Sequence, residues 1–228
     1  MSGMMLNSDN PYVSRLVDSF TARDDKAARK AVTEILHESG GRSLSPRWHP
    51  LGFFVVHLAK DREGRRYSIH CWPEHERSTQ DPAWLIHRHL WDLESMILAG
   101  ELRDRQYSAA EDVGSEADGP LYIAESADAR LSILRRTDRR VALDDLGAQD
   151  WRAGTWYRIA ANRFHESIVD HDASCLTLVR IGERVRPNSE VLGQEDAPAS
   201  LTYAARSLPL RQAGEHIGEC LRRAPTGR

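Results

Sequence analysis

The sequence predicts a mainly β fold, a closed antiparallel barrel or jelly roll, with helices on its N-terminal side and one helix at its C-terminal end. Three observations predict it. Short apolar runs rich in Phe, Val, Ile and Leu follow one another between residues 51 and 181. Polar turns separate them, which is the texture of a barrel or sandwich. On either side of this region the apolar spacing changes to the three-to-four-residue recurrence of an amphipathic helix.

Taken in order, residues 12–20 place Val13, Leu16, Val17 and Phe20 on one helical stripe, and residues 26–38 place Ala28, Val32, Ile35 and Leu36 on another. Gly40-Gly41 is the expected stop of the second helix. After Pro46 the texture becomes that of strands: 51–58 is apolar, Asp61-Arg62-Glu63-Gly64 reads as a hairpin turn, and 67–72 resumes as its partner. Further strands are expected at 84–89, 93–98, 102–107, 121–124, 131–135, 156–160, 163–169 and 175–181. Residues 108–120, acidic and glycine-containing, read as a solvated loop. The stretch 184–200 is polar and carries Pro187 and Pro198, and 201–204 offers one last strand. Residues 208–222 return to helical spacing through Leu210, Ala213, Ile217 and Leu221, and Arg222 and Arg223 suit the negative end of a helix. The chain therefore divides into an N-terminal helical extension (1–45), a barrel (46–205) and a C-terminal helix (206–228) that packs on the barrel or on a partner.

Composition narrows the function. The chain has 228 residues, 40% of them hydrophobic, enough for a substantial core. Its 31 basic and 34 acidic residues leave no field of one sign to gather nucleic acid or an anionic membrane, so a small-molecule partner is expected. No stretch approaches the roughly 18 apolar residues of a membrane span, and no signal-like segment opens the chain, so a cytoplasmic location is expected. Cys71, Cys175 and Cys220 are widely spaced and read as reduced thiols. An exposed barrel edge would allow a homodimer.

The chemistry concentrates in the run Ile86-His87-Arg88-His89-Leu90-Trp91-Asp92-Leu93-Glu94. His87 and His89, one residue apart, point the same way on a strand. With 10 histidines in the chain, roughly 0.4 such pairs arise by chance, so the pair gains weight only from its surroundings. Those are Glu94 five residues on, Gly100 at the end of the next run, and His165 in a separate strand-like run. Imidazoles with one carboxylate suit Fe(II), Mn(II), Ni(II), Zn(II) or Cu(II), and three or four protein ligands leave positions open for substrate, water or dioxygen.

His87-x-His89-x4-Glu94-x5-Gly100 resembles the first cupin motif, and Arg163-Phe164-His165 stands where the second motif supplies its last histidine. Within cupins, Tyr67-Ser68-Ile69-His70-Cys71-Trp72-Pro73-Glu74 leading to the histidine pair is similar to the cysteine dioxygenase, or thiol dioxygenase, branch. The resemblance spans roughly residues 53–181. It implies a double-stranded β-helix with His87, His89 and His165 as iron ligands, and Glu94 as the general cupin carboxylate ligand. Three departures accompany it. Glu94 replaces the cysteine of the cysteine dioxygenase pattern, no arginine stands in Phe53-Phe54-Val55-Val56-His57, and 176–181 lacks the Ser-His-Tyr trio. A substrate other than free cysteine is expected.

By the same resemblance His70 and Trp72 point into the barrel, Trp72 as a pocket wall and His70 as a catalytic or proton-transferring group. Met96 should share the face of Glu94 and touch substrate. Arg163, on the parity of His165, is the candidate to bind a substrate carboxylate. Asp92 could orient a ligand imidazole through its second nitrogen. His37, His49, His57, His75, His171 and His216 have no matching constellation. The expected protein is a mononuclear non-haem Fe(II) oxygenase using dioxygen on a small molecule. Alternatives are a non-redox isomerase, lyase or hydrolase with the metal as Lewis acid, and a non-catalytic small-ligand-binding cupin.

Overall fold

A strand buried on both faces needs a cover on each side, and here helices cover one and a second sheet the other. The computed structural model describes residue 6 and residues 10–38, 44–111, 117–126 and 131–224. The expected helix stop at residues 40 and 41 and part of the acidic loop lie outside these. The elements are α1 (Pro11–Thr21), α2 (Asp25–Glu38), β1 (Arg47–Trp48), β2 (Phe54–Lys60), β3 (Arg66–Trp72), β4 (His87–Arg88), β5 (Trp91–Glu111), β6 (Gly119–Ser126) and β7 (Leu131–Arg152). They continue with β8 (Trp156–Ile159), β9 (Phe164–Ile168), β10 (Cys175–Arg184), β11 (Ser189–Leu192), β12 (Ser200–Ala204), β13 (Arg206–Ser207) and α3 (Leu210–Arg223). The architecture is mainly β, an antiparallel double-stranded β-helix barrel with N-terminal helices and a C-terminal helix.

The first half of β5 lies between β10 and β8, and its second half lies between β9 and β7. β5 thus belongs to both sheets and joins them. From β9 the hydrogen-bonded path runs through β4, β11 and β6 to β7, which returns to β5 and closes a ring. On the other side the path runs from β10 through β3 and β2 to β1.

Helix starts follow local chemistry. The Asn10 side chain accepts the Tyr12 N–H at 2.9 Å and caps α1, and Pro11 supplies the fixed φ of a first helical position. The helices bury Phe20, Val32, Ile35, Ala213 and Ile217 against Phe54, Val56, Tyr67, Ile69, Met96, Leu98 and Leu178 of the sheet. Full burial of a side chain of this size contributes about 1.5–3 kcal/mol. The opposite face of the same strands carries Trp72, Leu93, Ile97, Cys175 and Val179, which form the barrel interior with Tyr157 and Ile159.

Several strand expectations are corrected. The runs at 93–98 and 102–107 form one strand, and Gly100 lies inside it rather than ending it. Gly100 has φ +75°, and a Cβ there would collide with the Ser174 carbonyl oxygen where β10 begins. The run at 84–89 contributes only the two residues of β4. β7 continues well past 135, and β11 arises in the stretch read as an irregular polar tail.

Candidate metal centre

His87 on β4 and His165 on β9 are directly opposite in the antiparallel register. His89 follows His87 by two residues and so returns to the same face. The ring centroids lie 4.5 Å (His87–His165), 4.8 Å (His87–His89) and 5.1 Å (His89–His165) apart. One nitrogen from each ring falls within 4.8 Å of the others, the single such grouping of metal-ligating side chains among the described residues.

Hydrogen bonds on the outer side of two rings select the inner nitrogen. His87 Nδ1–H donates to the Leu85 carbonyl at 2.7 Å, and His165 Nδ1–H donates to Asp104 Oδ1 at 3.1 Å. Each leaves a lone pair on Nε2. The Asp104 carboxylate is 2% exposed and His165 is 3% exposed, so the pairing is inside the protein. His165 Nε2 lies 3.1 Å from His89 Nε2. Two nitrogens about 2.1 Å from one ion and at a right angle are about 3.0 Å apart, so this spacing fits a shared divalent cation. Burial, reinforced by neighbouring imidazoles, pushes His87 and His89 well below the ordinary histidine range, so both are neutral and competent as ligands at pH 7.

Glu94 is not part of this group, which corrects its expected role as ligand and catalytic residue. Within β5 it neighbours Leu93, and adjacent strand residues lie on opposite faces. Leu93 and Ile97 face the interior with Trp91, while Glu94 and Met96 face the helices. Glu94 pairs with Arg180, whose Nε lies 2.6 Å from its carboxylate and whose guanidinium carbon sits 5.0 Å from the centre of the Phe20 ring of α1. Met96, 1% exposed, is packed in the helix-facing core, so it is no substrate contact. Asp92 also faces outward. It pairs with Arg158 and accepts the Ala161 N–H at 2.9 Å, and the orienting role expected of it falls to Asp104.

Asp104 was not legible from spacing. In the register with β10, Leu176 faces Ala99 but Thr177 faces Ile97, so Leu98 is skipped. This bulge reverses the alternation along β5 and carries Asp104 to the histidine side. Arg163 lies in the turn before β9, where its N–H donates to the Ala160 carbonyl at 2.9 Å, and it makes no ion pair among the described residues.

An aromatic wall stands on the inner face of β3. Phe53 packs against Trp72 (4.6 Å), His70 (5.1 Å) and His49 (4.4 Å, stacked). Burial pushes His70 down to about 3, with His49 and His57 adding, and pushes His49 down to about 4. Both stay neutral at pH 7, and both lie near enough to His89 to lower its basicity further. Trp91 lies parallel to the His89 ring at 6.2 Å, and the Arg66 guanidinium carbon is 4.7 Å from the Trp91 ring centre. His49 and Arg66 had no sequence signal, because neither belongs to a spacing motif.

No protein-family model matches the sequence, and no curated protein matches it. Among solved structures, one described as "Crystal structures of DMSP lyases RdDddP and RnDddQII" is similar over 75% of this chain and 70% of that chain, with 13% identity and a TM-score of 0.40. A likeness at that level decides neither ligand nor reaction, and the barrel assignment stands on the strand pairing itself.

Proposed function

We propose that the protein is a metal-dependent enzyme in which His87, His89 and His165 hold one divalent ion, Fe(II) in our reading, and which oxidises a small molecule with dioxygen. The observation that carries this reading is the convergence of three imidazoles on one interior point, two of them with the outer nitrogen already hydrogen-bonded. With Glu94 turned to the helices, the donor set is three histidines, the set implied by the resemblance to thiol dioxygenases. Bound there, the ion would supply Lewis acidity and electron transfer toward dioxygen at its open positions.

The chain's own residues position and shield. Asp104 holds the His165 ring at a fixed angle, and the Leu85 carbonyl does the same for His87, so both Nε2 atoms are presented without reorganisation. Trp91 lies parallel to the His89 ring and shares an apolar cluster with Phe53 and Trp72, so the surroundings of His89 on that side are apolar. Arg163 is proposed to meet an anionic group of the substrate.

A second reading rests on the same donor set, because three imidazole ligands also suit Zn(II) in a non-redox lyase, isomerase or hydrolase. Protein purified without added metal should contain close to one equivalent of a transition metal by elemental analysis, and His87→Ala and His165→Ala should lose it. Negligible metal in the parent, or metal content unchanged from the parent in both variants, would overturn the metal reading. Oxygen consumption by the iron form with small thiols and acids supports oxygenase chemistry. Turnover that persists anaerobically with Zn(II) would replace that chemistry with the non-redox one.

A further inference from the structure

His70 on β3 and Thr177 on β10 are partners in the antiparallel register, so their side chains stand together on the interior face that carries Trp72. Thr177 is 1% exposed, and its Oγ1 has no hydrogen-bond partner among the described residues. A buried hydroxyl without a partner destabilises the ligand-free protein. Neither nitrogen of His70 has a hydrogen-bond partner among the described residues; its ring contacts are Phe53 and Trp72. Beside the wholly buried Thr177 hydroxyl therefore stands a half-buried imidazole that makes no hydrogen bond among the described residues, both on the face lined by Phe53 and Trp72.

We propose that His70 and Thr177 form a hydrogen-bonding subsite for a neutral polar group, a hydroxyl or carbonyl, of a small substrate whose other end reaches the three-histidine centre. Phe53 and Trp72 pack the carbon frame between the two ends. A neutral imidazole and a hydroxyl can each donate or accept but supply no full charge, so they match an uncharged group better than a carboxylate or an ammonium. Burial keeps His70 neutral, which makes it a poor base and a steady hydrogen-bond partner. The subsite stands on the unmatched groups alone. Only the placing of the substrate's other end rests on the metal reading.

The full chain carrying Thr177→Val tests the unmatched hydroxyl directly. Its metal-free melting temperature should rise by about 2–4 °C, because the valine keeps the volume and removes the unpaired oxygen. A fall would show that the hydroxyl has a structural partner and would overturn the subsite. The ligand side is read with the Co(II)-loaded protein titrated with 2-mercaptoethanol and with ethanethiol, which differ by one distal hydroxyl, following thiolate-to-metal absorption. The parent should bind 2-mercaptoethanol about tenfold more tightly, as one good buried hydrogen bond allows. Thr177→Val and His70→Phe should lose that preference and retain ethanethiol. Equal affinities in the parent, or an undiminished preference in both variants, would overturn the proposal. Should Co(II) fail to bind, the metal reading fails, and the direction of the melting shift still decides the subsite.

Discussion

Asp104 controls how well His165 can serve a metal. Its carboxylate is almost wholly buried and its oxygen accepts from the ring nitrogen that faces away from the other two histidines. Replacing it with asparagine keeps the shape but removes the charge that raises the basicity of the opposite nitrogen. Such partners are typically worth 10–100-fold in metal affinity. Asp104→Asn should therefore weaken Zn(II) or Co(II) binding by about that factor in a competition titration against a chelator, and unchanged affinity would remove Asp104 from the site. Glu94→Gln should leave metal content unaltered, since its carboxylate serves Arg180 and not the histidines. Loss of metal in that variant would restore Glu94 as a ligand. His87, His89 and His165 could be read from the sequence because a period of two makes a His-x-His pair share a face wherever a strand forms. Glu94 keeps the motif spacing, but its place on β5 next to the interior-facing Leu93 turns it to the helices. Asp104 could not be read at all, since the bulge at Leu98 that turns it inward is a property of the pairing with β10.

Among the elements, β4, β7 and β11 are locked together by buried charge. Arg88 and Glu190, each 4% exposed, pair across β4 and β11. Glu111 and Arg139 extend the network: Arg88 Nη2 lies 2.7 Å from Glu111, and Arg139 pairs with both carboxylates. The Arg88 guanidinium also lies 4.6 Å from the Phe164 ring centre, next to His165 in sequence. Removing one member of a buried pair strands the other, which costs about 3–5 kcal/mol where no other partner remains. Glu190→Ala leaves Arg88 with Glu111, so a loss below that range, about 2 kcal/mol in denaturant unfolding, is expected, and a loss below about 0.5 kcal/mol would show the network to be dispensable. The same chemistry explains what the sequence hid at this scale. β11 and the far part of β7 are placed by their backbone pairing and carry ion-paired side chains such as Arg139–Glu190, Arg105–Asp145 and Arg103–Asp150, so they lack the apolar alternation that marks a strand. The helices and β2, β3 and β10 bury clean apolar faces, and those were legible.

For the molecule as a whole, the interior histidines set a pH dependence distinct from that of the carboxylates. His49, His57, His70, His87 and His89 are all lowered, in each case chiefly by burial. In the unfolded chain they take up protons near the ordinary value of about 6.5, while the folded protein does not until His49 and His70 reach about 4 and about 3. Between these limits the unfolded state binds more protons, so stability falls as pH decreases. Above about 6.5 both states are neutral at these positions and the contribution is flat. The carboxyl groups of Glu111 and Glu190 are also lowered in the fold, where burial pushes them up and their arginine partners more than offset it, so their loss begins only as pH falls through the ordinary glutamate range. Thermal melts of the metal-free protein should therefore be level from pH 8 to 7 and begin to decline near pH 6.5, well before carboxylates titrate. In the His49→Asn, His70→Asn double variant the decline between pH 6.5 and 5 should be shallower, whereas melts of the parent that stay level down to pH 5 would refute the neutral interior. A divalent ion that binds only the folded state adds about 4 kcal/mol at a thousand times its dissociation constant. Protons compete for the same imidazole nitrogens only once the pH reaches the lowered range of His87 and His89, so between pH 6.5 and 5 the metal-loaded protein should stay more stable than the metal-free one by a near-constant margin, and a margin that collapses near pH 6.5 would refute the lowered ligands.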